Sequence, residues 1–233
     1  IYDNSIFGFT GPIDGYRQNV SITASPGWNT DFKFQTVKLD ARKYWRFGRD
    51  YTLAVRGFFG SSQGKNAQKF FLGGIPYLLT DFQSGTTNGV SDPSAYRSVI
   101  TDTSNSNLIT DVYFTEYAFP MRGARFAERI GTYASLFNFE VRFPFINYLA
   151  LGFPLKVVFG NIRGHAFVDV GAAWDSADEF SSNSWPEKYG SNDTAKFSPW
   201  VVTSGLGVKI NLGYFLLRVE SAWDKNPGGY SKP

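Results

Sequence analysis

Over residues 133–143 large side chains return at every second position. Tyr133, Phe137, Phe139, Val141 and Phe143 share one parity with Ser135, while Ala134, Leu136, Asn138, Glu140 and Arg142 take the other. A period of two sends successive side chains to opposite faces of a strand, so this stretch predicts a strand with one apolar and one polar face. Leu206, Val208 and Ile210 alternate in the same way with Gly205, Gly207, Lys209 and Asn211, and Phe215, Leu217 and Val219 with Leu216, Arg218 and Glu220. Ala166, Val168 and Val170 oppose Phe167, Asp169 and Gly171; Tyr51, Leu53 and Val55 oppose Thr52, Ala54 and Arg56. Tyr16, Val20 and Ile22 oppose Arg17, Asn19, Ser21 and Thr23, with Gln18 a polar exception on the apolar side. Over 32–42 the phase is mixed, since Phe32 and Phe34 share a face with Lys38, Asp40 and Arg42, which predicts a bulge or a stretch standing clear of an apolar layer. About seven strands emerge and no helix, so the chain reads as all-β.

The joints change the picture from sheet to architecture. Pro26-Gly27-Trp28-Asn29, Phe47-Gly48-Arg49-Asp50 and Leu212-Gly213 predict tight turns, whereas long polar connections run over about 61–130 and 175–200. Short turns at one end and long loops at the other are expected of outer-membrane barrels. A soluble β-sandwich alternates too, but with its apolar face inside and less need of aromatics. The chain carries 23 Phe, 13 Tyr and 6 Trp in 233 residues. Tyr44, Trp45, Tyr148, Trp174, Tyr214 and Trp223 near strand ends suit interfacial girdles, and the pairs Glu140/Arg142 and Arg218/Glu220 suit a wet lumen. No interdomain linker interrupts 1–233, which reads as a single barrel region.

Composition then excludes classes of chemistry. With no Cys and one His there is neither a disulfide scaffold nor a thiolate or multi-histidine metal site. A net charge of +3 without a basic stripe argues against nucleic acid. No apolar run is long enough for a membrane helix. Residues 1–10 show no signal-peptide pattern, so the chain is expected to begin within a longer protein or after processing. Asp111, Glu116 and Glu128 lack calcium-loop spacing, and no nucleophile or phosphate-loop motif occurs. His165 follows Arg163-Gly164 at a strand start and reads as structural. No catalytic residue, cofactor or metal is expected. Phe70-Phe71 and the aromatics of 114–119 predict either strand packing or an exposed patch.

Three segments add a resemblance. Phe71-Leu72-Gly73-Gly74 leaves a strand; Met121-Arg122-Gly123-Ala124 precedes Gly131 and the strand Asn138-Phe139-Glu140-Val141-Arg142-Phe143-Pro144; Phe167-Val168-Asp169-Val170-Gly171 ends in Ala173-Trp174-Asp175. In this order they resemble the BamA/TamA superfamily of outer-membrane assembly and translocation barrels, also called the bacterial surface antigen family. That family has a Gly-Gly strand exit, a long sixth extracellular loop ending in Arg-Gly-aromatic, an Asn-x-Glu-x-Arg-x-Pro strand and a Phe-x-Asp-x-Gly strand. Here Ala124 replaces the aromatic, with Phe126 nearby. The family's barrel has sixteen strands. This chain resembles strands nine to fifteen, at about 15–25, 31–46, 50–60, 132–145, 164–174, 202–212 and 214–223, with residues 1–12 the tail of strand eight or its turn. It thus reads as the C-terminal half of a transmembrane antiparallel β-barrel whose final strand is missing, so that 214–223 should lie at an edge.

The resemblance implies a loop latch. Asp169, Glu140 and Arg142 lie at polar parity, and Arg122 sits on a loop that in the family folds back into the lumen. A guanidinium can bind a carboxylate through two parallel hydrogen bonds. Arg122 on Asp169, with Glu140 beside it, would pin the loop; Gly123 would turn its tip, and Gly171 would leave room for the loop backbone. In a partly wet lumen such a contact contributes on the order of 1–3 kcal/mol. Gly73 and Gly74 mark where the chain leaves for the loop. Val208, Ile210, Phe215, Leu217, Val219, Phe137 and Phe139, with Leu206, should face lipid. The implied location is the bacterial outer membrane of a Gram-negative-type envelope. The implied function is assembly, insertion or translocation of outer-membrane proteins, without enzymatic chemistry. The alternative is a structural outer-membrane anchor for a periplasmic module or a larger secretion complex. Implied partners are outer-membrane lipid and other envelope proteins or a soluble periplasmic module, not nucleic acid.

Overall fold

The computed structural model describes residues 1–27, 33–73, 116–118, 121–124, 129–152, 157–181, 198–212 and 215–224. In chain order its strands are β1 (Tyr2–Asp3), β2 (Ile6–Gly8), β3 (Gly11–Pro26), β4 (Lys33–Phe47), β5 (Tyr51–Gln63), β6 (Phe70–Leu72), β7 (Glu116–Ala118), β8 (Arg129–Gly131), β9 (Tyr133–Leu151), β10 (Val157–Trp174), β11 (Trp200–Asn211) and β12 (Leu216–Asp224). One antiparallel sheet runs β1-β3-β4-β5-β9-β10-β11-β12, with β2 also on β3. Seven of these are the long strands that alternation predicts. β1 and β2 pair in turn with the far and near parts of β3, so residues 1–8 behave as one interrupted strand. Among the described residues β12 pairs with β11 alone.

The sheet is rolled. β11 lies five strand steps from β3, which is about 24 Å in a flat sheet. Yet Asn211 Nδ2 donates to the carbonyl of Phe9, in the β2–β3 turn, at 2.6 Å. Arg142 on β9 likewise reaches the carbonyl of Pro12 on β3 at 2.5 Å. Register assigns the two faces. Arg17, Arg42, Arg56 and Asn138 form one concave row, and Gln18, Ala41, Gly57 and Phe137 form the neighbouring convex row. The convex face is apolar and exposed at Val20, Leu39, Phe59, Phe137, Phe139, Val141, Val168, Leu206 and Val219. The concave face collects most of the sheet's buried polar groups.

Three expectations need correction. The mixed phase over 32–42 hides no bulge: β4 pairs with both neighbours without a register shift, and Thr36, Asp40 and Tyr44 are all buried on its concave side. Tyr44 is therefore not a girdle residue. The β3–β4 joint lies at the same end as the long loops, because Pro26 pairs with Lys33 and Gln35 with Gln63. A bulge does occur, but on β9. Arg163 faces Pro144 and Ile162 faces Ile146, so Phe145 is the extra residue. Proline cannot donate to a ladder, and bulges are where strands accept it.

The stretch expected to be a polar loop holds a second, small sheet in the order β7-β6-β8, with β6 parallel to β7 and antiparallel to β8. Phe70 and Leu72 of β6 are fully buried, with Met121, against Phe58, Ala134, Leu136, Ala173 and Val201 of the large sheet. Phe70 meets Phe58 edge-on with ring centres 6.4 Å apart. Phe70 is thus a core residue rather than an exposed patch; Phe114 and Phe119 lie outside the described residues. The return after β5 is fixed by hydrogen bonds: Thr36 Oγ1 and Ser62 Oγ lie 2.9 Å apart, and Ser62 Oγ accepts from the Gln68 amide at 2.7 Å.

The close approach of the small sheet depends on absent side chains. A Cβ on Gly171 would lie 2.8 Å from Leu72 and 3.2 Å from the Met121 sulfur, and one on Gly60 would lie 2.7 Å from the Phe70 ring. Gly160, in contrast, has open space at its Cβ position. Gly171→Val should therefore lower unfolding stability by about 1–3 kcal/mol through overpacking. Gly160→Val should be nearly neutral. Heat-induced unfolding followed by electrophoretic mobility compares the two, and equal losses would show that the small sheet does not sit where described.

Candidate functional site

Asp169 and Glu140 reach one site because β9 and β10 pair in a register that sets Phe167 beside Glu140 and Asp169 beside Asn138, all four concave. The carboxylates are diagonal neighbours on adjacent strands. Asp169 is fully buried and Glu140 nearly so.

Arg122 enters from above this pair. The Met121 amide donates to the carbonyl of Gly73 at 2.8 Å, which sets the approach. Arg122 Nε and Nη2 donate to the two oxygens of Asp169 at 2.8 and 2.7 Å, a parallel two-pronged contact. Nη1 donates to Glu140 Oε2 at 2.6 Å, and the backbone amide of Arg122 reaches Asp169 at 3.3 Å. The guanidinium carbon stands 3.6 Å from the centre of the Phe167 ring, within cation–π range. Burial opposes this charge, and the Asp169 and Glu140 carboxylates more than offset it, so the Arg122 pKa is raised above the ordinary arginine value. The site is not the partly wet one that the sequence suggests, because Asp169 is completely excluded from solvent.

Gly123 turns the tip with φ +78°, a left-handed conformation that side chains rarely adopt, and its Cβ position lies 2.7 Å from Ala222 of β12. Gly171 makes room for the side chains of Leu72 and Met121, whereas room for loop backbone was expected. Arg142 Nε donates to Glu140 Oε1 at 2.7 Å. Gly74 and Phe126 lie outside the described residues, as do Asp111 and Glu128.

Around this centre lie groups to which sequence reasoning gave no part in the latch. Lys209 Nζ donates to Glu140 Oε1 at 2.5 Å, so Glu140 is shared by Arg122, Arg142 and Lys209. His165 is buried, with Nε2 2.5 Å from Glu220 Oε1. The same oxygen lies 2.6 Å from Arg218 and 3.5 Å from Arg122. Asp40 is chelated by Arg42 and Arg56 on the other half of the sheet. Lys209, Glu220 and Asp40 all sit at concave parity, which is the signal that could have found them; which strands their partners occupy follows only from cross-strand register. Among the described residues no cluster of three or more metal-ligating side chains occurs. Each carboxylate at the centre is occupied by cations of the chain itself, an arrangement suited to holding a segment in place.

The convex residues Phe137, Phe139, Leu206, Phe215, Leu217 and Val219 are exposed, and Val208 and Ile210 are half-buried on the same face, paired with Val219 and Leu217. In comparisons with known proteins, a family model described as the Omp85 superfamily domain matches residues 2–231. No curated protein matches the chain.

Removing Arg122 would leave two buried carboxylates with fewer cations. Arg122→Ala should cost about 3–5 kcal/mol, the penalty of breaking a buried pair from one side. Arg122→Lys should recover part of it, since an ammonium cannot make the two-pronged contact. Unfolding midpoints in detergent test this; a variant Arg122→Ala as stable as the parent would dismiss the contact as a structural determinant.

Proposed function

The chain belongs to the Omp85 superfamily, and we propose on that footing that it is the C-terminal part of a sixteen-stranded outer-membrane barrel of the BamA/TamA type, acting in the assembly, insertion or translocation of outer-membrane proteins. Membership implies an outer-membrane location. In this reading the long strands correspond to strands nine to fifteen, the convex face meets lipid, and outer-membrane lipid and other envelope proteins are the partners.

One observation carries the reading: the Arg122 segment and the small sheet occupy the concave face, tied by Arg122 to Asp169 and Glu140. A solute pore needs an open, wet interior. A filled interior fits a barrel whose work is done at its wall, where unpaired backbone groups at a strand edge template an incoming strand. The mechanism is physical: hydrogen-bond exchange at a seam, with no reacting side chain.

Two measurements test the proposal. Depletion of the protein should lower the levels of several other outer-membrane barrels together; unchanged levels would favour a passive anchor. Replacing Val208 with Arg should cost about 2–4 kcal/mol if that position lies at the bilayer midplane and should reduce the detergent-extractable, membrane-integrated fraction. Full integration of Val208→Arg would remove the lipid assignment of the convex face.

A further inference from the structure

The convex face carries a trough of about 520 Å³ over β3, β4, β5 and β9, lined by Tyr16, Gln18, Ala41, Lys43, Gly57 and Phe137 among others. We propose that it binds one phospholipid with an anionic headgroup, its phosphate against Lys43 and an acyl chain along Ala41 and Gly57. The proposal rests on the reading of this face as lipid-facing.

Register shows why the trough exists. The convex row Gln18–Ala41–Gly57–Phe137 has two small residues at its centre, between a polar wall and an aromatic one. The Phe137 ring stands 3.6 Å from where a Gly57 Cβ would be, so it walls the trough without filling it. The next row toward the short turn is Tyr16–Lys43–Val55–Phe139. Tyr2 stacks on Tyr16 at 5.2 Å and extends the polar wall. Leu39 and Phe59 form the row on the other side of the trough.

Lys43 is the chemical signal. A lysine on a lipid-facing surface is costly in a depth-dependent way, and this one is half-buried on a largely apolar face. Among the described residues it has no carboxylate partner; its ammonium lies 5.5 Å from the Tyr16 ring centre and 5.8 Å from that of Trp45. It stands four residues from Phe47, where β4 ends at the tight turn. At the usual rise and tilt that is about 10 Å along the membrane normal, a distance a lysine stem largely covers by reaching toward the headgroups. A phosphate there supplies the missing countercharge, Gln18 and the tyrosines offer hydrogen bonds to the glycerol region, and the Ala41–Gly57 floor takes a chain. A merely tolerated lysine explains neither the adjacent Gln18 nor the row of small residues.

The test reconstitutes the protein in phosphatidylcholine nanodiscs doped with phosphatidylglycerol and counts retained lipids by native mass spectrometry. The parent should retain one phosphatidylglycerol in preference to phosphatidylcholine. Lys43→Gln should reduce that preference about tenfold, the loss of one charge-assisted contact, while Lys43→Arg keeps it. Gly57→Leu, which fills the trough, should abolish retention of either lipid without lowering the unfolding midpoint. Equal retention of the two lipids by the parent, or an unchanged preference in Lys43→Gln, would overturn the proposal. Failure of the parent to enter nanodiscs at all would instead overturn the membrane reading on which it rests.

Discussion

A guanidinium buried between two strands governs this structure. Arg122 arrives from outside the sheet, and its positive charge can be buried only where carboxylates are already placed to receive it. Asp169 on β10 and Glu140 on β9 provide that place: both face inward, and the observed register makes them diagonal neighbours within reach of one guanidinium. Such an ion pair gains little over a well-packed apolar substitute, because desolvation consumes most of the attraction. What it supplies is selection of position. An apolar tip could settle at many points on the concave wall, whereas a donor with two prongs on Asp169 and a third contact on Glu140 fits at one. Phe167 beneath the guanidinium and the further cations on Glu140 complete the enclosure.

The shape of the concave wall follows from that placement. The small sheet fills the interior with Phe70, Leu72 and Met121, and the wall receives them through missing side chains at Gly60 and Gly171. Charge and packing therefore divide the interior. Toward the long-loop end it is an apolar core; across the middle it is a layer of paired ions running from Asp40 through Glu140 and Asp169 to Glu220. The convex side shows the opposite economy, with aromatic and aliphatic residues exposed and little polarity apart from the Gln18 and Lys43 region.

Period-two alternation made the long strands and their faces legible, since a half-buried strand writes its two environments directly into neighbouring residues. The contact of Arg122 with Asp169 came from motif resemblance joined to parity, because alternation alone says which face a carboxylate occupies and not what meets it. The small sheet was illegible: β6, β7 and β8 are three residues each, too short for any period, and their partners lie far along the chain. Lys209 and the His165–Glu220 pair were visible as concave residues but not as partners, since that needs the register of β10, β11 and β12. Asp40 and Arg42 looked like a break in pattern beside Phe34. The structure shows an unbroken strand whose inner face mixes an aromatic end with an ionic middle.

The bulge at Phe145 sets how the chain tolerates changes of length. Elsewhere in β9 an inserted or deleted residue would exchange the two faces of everything beyond it, sending Glu140 or Asn138 outward and Phe139 inward. Phe145 is already a supernumerary residue opposite the Ile162–Arg163 step, so the ladder there has one unpaired position to give up. A single-residue deletion at Phe145 would convert the bulge into regular pairing and leave the phase of 133–143 untouched. Length variation in this hairpin should accordingly concentrate from Phe145 onward, and the strand on its other side should be a stretch of fixed length through which the reading frame of inward and outward residues is preserved.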